Sequence, residues 1–93
     1  MSIQWLFDVI EERKKNPSEK SYTTSLFNAG LPKIAQKVGE EGTEVVVAAL
    51  AQEDACLIEE VADLTYHVLV LLAERGLSPA DVVSALEKRH RNP

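Results

Sequence analysis

Two pairs of carboxylates in this sequence have the types and spacing for metal chemistry: Glu41-x-x-Glu44 and, sixteen residues on, Glu60-x-x-Asp63. Residues three apart on a helix are neighbours in space, so each pair can act as one unit. At 100° per residue, Lys37, Glu41, Glu44 and Ala48 share one narrow stripe at the edge of an apolar seam, with Glu40 a little further out. Glu60, Asp63 and His67 form a matching stripe beside the seam of the next helix. The turn between the helices, around Gln52-Glu53, is short, so the helices are antiparallel neighbours whose stripes can face each other. Four carboxylates beside an apolar core repel one another and lose hydration. A hard divalent cation relieves both costs. Magnesium takes a few carboxylates and leaves positions for water and phosphate oxygens. Lys37, one turn before Glu41, is placed to receive a phosphate or to neutralise a glutamate. The competing reading is a solvated acidic face; pairing on two adjacent helices, each flanking the core, weighs against it.

Other candidates are weaker. His67, in an apolar run, reads as a hydrogen-bonded core residue or a support behind a ligand. Glu87-x-x-His90 has the spacing of a di-iron ligand pair but occurs once, at a helix end. Gly39-Glu-Glu-Gly42 lacks the strand context and the following Lys-Ser/Thr of a phosphate-cradling loop. Nothing suggests a serine or cysteine nucleophile with a paired base. Cys56, the only cysteine, reads as a small buried hydrophobe, and Trp5 as packing.

The elements that must position these residues are helices. The first covers Ile3 to Lys15, with Leu6, Val9, Ile10 and Arg13 on successive turns, and ends at Asn16-Pro17-Ser18. A polar connection, Glu19 to Thr23, leads into a short apolar segment around Leu26-Phe27 that stops at Gly30. The second helix runs from about Leu31 to Ala51, with Leu31, Ala35, Val38, Gly42, Val45 and Ala49 as its seam. Gly39 and Gly42 each cost such a helix about 1 kcal/mol relative to alanine. They imply a close approach to the backbone or tight helix–helix contact. The third helix runs from about Asp54 to Arg75 and closes at Gly76. It is apolar along Leu57, Val61, Leu64, Val68 and Leu72, and again along Ala62, Tyr66, Leu69, Val70 and Ala73. Ser78-Pro79-Ala80-Asp81 opens a fourth helix, which reaches about His90. The expectation is one all-α domain over residues 1–93, an antiparallel helical bundle of about four helices. Four short helices cannot cover a helix that is apolar on two sides, so a homodimer is expected.

Composition sets the partners. The chain is 45% hydrophobic, 27% charged and 5% aromatic, as expected of a folded helical protein. A net charge of −5 and the lack of a basic stripe disfavour nucleic acid. A phosphorylated small molecule remains accessible if a divalent cation lies between it and the acids. A lone cysteine forms no internal disulfide, and the start, Met-Ser-Ile-Gln-Trp, does not resemble a secretory leader. The longest apolar run, Val61 to Ala73, is interrupted by Asp63 and His67. It is also shorter than the ~20 residues of a membrane span. A cytoplasmic protein without a membrane partner is expected.

The segment Lys37-Val-Gly-Glu-Glu-Gly-Thr-Glu44, followed by Glu59-Glu-Val-Ala-Asp-Leu-Thr-Tyr-His67, resembles the signature of the phosphoribosyl-ATP pyrophosphatases. These are all-α nucleotide pyrophosphohydrolases, and the wider superfamily shares only the two acidic pairs. Ser21-Tyr22-Thr23, Leu26-Phe27, Gly30 and Arg75-Gly76-Leu77 are similar to the histidine-pathway branch, so the likeness runs from about Ser21 to His90. Gly42 departs from it, standing where alanine is expected. The resemblance implies Mg²⁺-dependent hydrolysis of phosphoribosyl-ATP to phosphoribosyl-AMP and pyrophosphate, the second step of histidine biosynthesis, by a dimer. It implies Glu41, Glu44, Glu60 and Asp63 as metal ligands, Glu40 as base for the attacking water with Glu44 as substitute, and Lys37 on phosphate. Ser21, Tyr22 and Thr23 would recognise the substrate. The resemblance leaves open an association with phosphoribosyl-AMP cyclohydrolase. The rivals are a house-cleaning pyrophosphatase of ordinary or damaged triphosphates and a non-catalytic helical dimerisation module.

Overall fold

Local signals set most of the helix boundaries. The computed structural model describes residues 1–91, in which the helices are α1 (Ile3–Lys15), α2 (Tyr22–Ala29), α3 (Leu31–Ala51), α4 (Asp54–Glu74) and α5 (Pro79–His90). The Ser2 hydroxyl accepts from the Trp5 amide at 3.1 Å and caps α1. At the end of α4, Gly76 takes φ 71°, the Leu77 amide donates to the Leu72 carbonyl at 2.8 Å, and the Gly76 amide donates to Ala73 at 3.1 Å. This is a Schellman closure, which a side chain at 76 would strain. The Ser78 amide donates to Asp81 Oδ2 at 2.9 Å, completing the capping box of α5.

The expectation of about four helices is corrected to five among the described residues. The stretch read as a polar connection and a short apolar segment forms the eight-residue α2. Its intrinsic helix preference is weak, since threonine, serine and asparagine fill it. Its cap and its core contact help hold it: the Ser21 hydroxyl accepts from the Thr24 amide at 3.2 Å, and Leu26 is buried in the core. Gly30, at φ 91°, then turns the chain directly into α3.

The core lies at one end of the molecule. Phe7 and Ile10 of α1, Leu26 of α2, Ile34 of α3, and Leu69, Val70 and Ala73 of α4 meet there. Lys14 of α1 reaches the Ala73 carbonyl at 2.7 Å, satisfying an acceptor in the last turn of α4. The main packing is α3 against α4, and α5 touches the rest mainly through α1. The far half of the α3–α4 hairpin has no cover: Val46, Val47, Leu50, Ile58 and Val61 are all exposed. Cys56 is exposed too, against expectation, because the turn of the hairpin carries it away from the core. Trp5 is likewise 49% exposed. Among the described residues, no helix is long and apolar enough to cross a membrane.

Candidate active site

The buried positions of α3 are Ile34, Glu41 and Ala48, one every seven residues. The face turned to α4 is therefore the stripe with the acid on it. The seam expected from the sequence is displaced: Leu31, Ala35 and Ala49 are exposed, and Val38, Gly42 and Val45 are only partly covered. Apolar residues surround α3 so widely that hydropathy alone cannot choose the face. On α4 the second of the two expected surfaces is the inner one, with Leu69, Val70 and Ala73 buried. Neither Gly39 nor Gly42 meets a close neighbour within this chain, since a Cβ at either finds nothing within 4 Å.

Packing the two helices in this way gathers Glu41, Glu60 and Asp63, each of which offers one carboxylate oxygen within 4.8 Å of those of the other two. Glu41 is buried, Glu60 partly so, and Asp63 is exposed. At that separation each like-charge pair costs on the order of a few kcal/mol near a protein surface. Glu41 Oε2 and Glu60 Oε2 are buried and accept no hydrogen bond. Buried charged oxygens left unpaired are rare and call for a cation or ordered water. Lys37 Nζ supplies part of the compensation, at 3.4 Å from Glu41 Oε1 and 3.6 Å from Glu40 Oε1. Desolvation works to lower the Lys37 pKa. The phenol of Tyr22, the hydrogen bond and charge of Glu41 and the charge of Glu40 outweigh it and hold the pKa above the ordinary value. Gln36 Nε2 donates to Glu40 Oε2 at 3.1 Å; with Lys37 nearby, this keeps the Glu40 carboxyl below the usual range.

Glu44 stands outside the three-acid set. It is exposed, and it lines a groove of about 250 Å³ at the turn end of the hairpin with Val47, Gln52 and Glu60.

The first turn of α2 meets α4 at Tyr66 and His67, about one turn beyond Asp63. Ser21 is occupied as the cap of α2. The Tyr22 hydroxyl lies 3.1 Å from His67 Nε2, and the hydroxyls of Thr23 and Tyr66 are hydrogen-bonded. Tyr22 and Tyr66 stack at 6.2 Å, and His67 meets both rings edge-on. Burial pushes the Tyr66 phenol above its usual pKa, against the Thr23 hydrogen bond. His67 is buried, as expected, with Nδ1 2.7 Å from the Asp63 carbonyl oxygen. Sequence reasoning missed Tyr66, which looked like one more apolar position of α4. Its partner on α2 comes from 43 residues away, and no local pattern signals that pairing.

Residues 4–90 match the family described as phosphoribosyl-ATP pyrophosphohydrolase. A phosphoribosyl-ATP pyrophosphatase of Lacticaseibacillus casei is 54% identical over 88 residues, covering 95% of this chain and 80% of the relative. One from Clostridium botulinum is 49% identical over 87 residues, covering 94% and 79%. A histidine biosynthesis bifunctional protein of Xylella fastidiosa is 53% identical over 83 residues, which are 89% of this chain but 40% of that longer protein.

Proposed function

The chain belongs to the phosphoribosyl-ATP pyrophosphohydrolase family, and on that premise we propose that it hydrolyses phosphoribosyl-ATP between the α and β phosphates. The products are phosphoribosyl-AMP and pyrophosphate, and the step is the second of histidine biosynthesis. The observation that carries the chemistry is the pair of buried, unpartnered oxygens, Glu41 Oε2 and Glu60 Oε2, beside Asp63. All the donors are carboxylate oxygens, which suits a hard divalent cation such as Mg²⁺. Glu41, Glu60 and Asp63 would hold it, with Glu44 as a fourth ligand from the groove it shares with Glu60. When bound, the cation supplies charge neutralisation and alignment at the phosphates.

The chain's own residues do the rest. Glu40, exposed and kept ionised by Gln36 and Lys37, accepts the proton of the attacking water; Glu44 is the alternative base. Lys37 exchanges a glutamate for a phosphate oxygen of the substrate, which its three donors on a flexible stem allow. Ser21, Tyr22 and Thr23 form the substrate-facing wall. Water attacks directly, and no covalent intermediate is formed.

The reading includes a homodimer. A compact monomer of 10.3 kDa exposes about 5,400 Å², whereas this chain exposes 6585 Å². Its radius of gyration, 14.6 Å, exceeds the ~12 Å of a compact domain of this length. The uncovered apolar hairpin contributes to the excess and fits a second copy. The reading also includes a cytoplasmic location. It includes, too, an association with phosphoribosyl-AMP cyclohydrolase, which the bifunctional relatives support.

Substitution tests the ligand set. Asp63→Asn and Glu44→Gln keep the fold and lose most of the turnover, about 100-fold or more, as expected when a metal ligand is removed. Either variant turning over at the wild-type rate in saturating Mg²⁺ would refute the assignment of that residue.

A further inference from the structure

His67 is a buried titratable side chain with no part in the chemistry just described. Its Nδ1 faces the Asp63 backbone carbonyl at 2.7 Å, and a carbonyl oxygen only accepts, so Nδ1 carries the proton. In the tautomer set by that contact, Nε2 keeps its lone pair and the Tyr22 hydroxyl, at 3.1 Å, donates to it. The one proton of the phenol is then directed inward. Tyr22 is 52% exposed, and its phenol lies near enough to Lys37 to act on that lysine's charge. The second link, Thr23 to Tyr66, keeps the same turn of α2 from shifting along α4. A phenol oxygen presented in this way accepts but does not donate. It repels ionised phosphate, whose oxygens also accept, and takes a hydroxyl donor.

We propose that His67 is a positioning residue that orients Tyr22 as a pure hydrogen-bond acceptor, and that Tyr22 thereby selects a sugar hydroxyl of the substrate. The inference rests on the reading above, in which Tyr22 faces the substrate; the ribose of phosphoribosyl-ATP is bonded to the phosphate chain that the acids and their cation would hold. His67 acts through Tyr22: Glu41 and Glu60 lie on turns that His67 does not touch, and Asp63 is met only at its backbone carbonyl.

The test is a cycle of Tyr22→Phe, His67→Asn and the double variant. Asparagine retains a donor for the Asp63 carbonyl and loses the link to Tyr22. Tyr22→Phe removes one oxygen from a half-exposed ring and leaves the fold intact. Each single variant raises KM for phosphoribosyl-ATP about threefold to tenfold, with kcat little changed, as expected for one lost neutral hydrogen bond. The double variant matches the singles, and Mg²⁺ binding by calorimetry stays unaltered. The ¹⁵N shifts of the wild-type His67 ring show the proton on Nδ1. Additive KM effects, weakened Mg²⁺ binding or a proton on Nε2 would each overturn the inference. Wild-type protein is assayed first: no turnover defeats the functional reading and the sugar contact with it. Wild-type turnover with KM unmoved in both variants defeats this inference alone.

Discussion

At the scale of single residues the account turns on which charge occupies Glu41. Lys37 lies 3.4 Å from it, while the second oxygen of Glu41 has no partner. The lysine therefore neutralises the same group that a metal would. Lys37→Met removes a competing positive charge, so Mg²⁺ binds roughly threefold to tenfold more tightly by calorimetry, while KM for the substrate rises. Unchanged or weaker Mg²⁺ binding would show that Lys37 does not compete for the site. The acids themselves were legible in the sequence, because three-residue spacing on a helix fixes their neighbourhood. Their grouping was legible only in part. Glu41, Glu60 and Asp63 come together, and Glu44 does not join them, because the buried face of α3 centres on Ile34, Glu41 and Ala48. That centre is a matter of packing against α4, which a helical wheel of one segment does not contain.

At the scale of the element, α3 carries a cost that the single chain does not explain. Gly39 and Gly42 lie within the helix, and neither has a neighbour that a methyl group would meet. Gly42→Ala is expected to stabilise the protein by about 1 kcal/mol in chemical denaturation and to leave turnover intact. Destabilisation instead would reveal a close approach at Gly42 in the assembled protein. The long helices are legible in the sequence from Pro17, Gly30, Gly76 and the Ser78 capping box, since these residues act locally. The short α2 is not legible there, because its residues are weak helix formers. It is held by the caps around it and by Leu26 and Tyr22 meeting distant partners.

At the scale of the whole molecule the uncovered hairpin is the surface on which the proposed dimer rests. Leu50 is 83% and Ile58 69% exposed at its far end, close to the groove that Glu44 and Glu60 line. Replacing both with aspartate is expected to yield a species of 10.3 kDa by light scattering, where the parent gives twice that mass. A parent of 10.3 kDa would remove the dimer from the account. The central claim, that these acids serve the cleavage of one particular nucleotide, is tested most directly by pyrophosphate release. Phosphoribosyl-ATP is assayed beside the common nucleoside triphosphates, with Mg²⁺ and without metal. The account predicts rapid release from phosphoribosyl-ATP alone, and only with the metal. Equal or faster release from the simple triphosphates, or none from phosphoribosyl-ATP by folded protein, would contradict it.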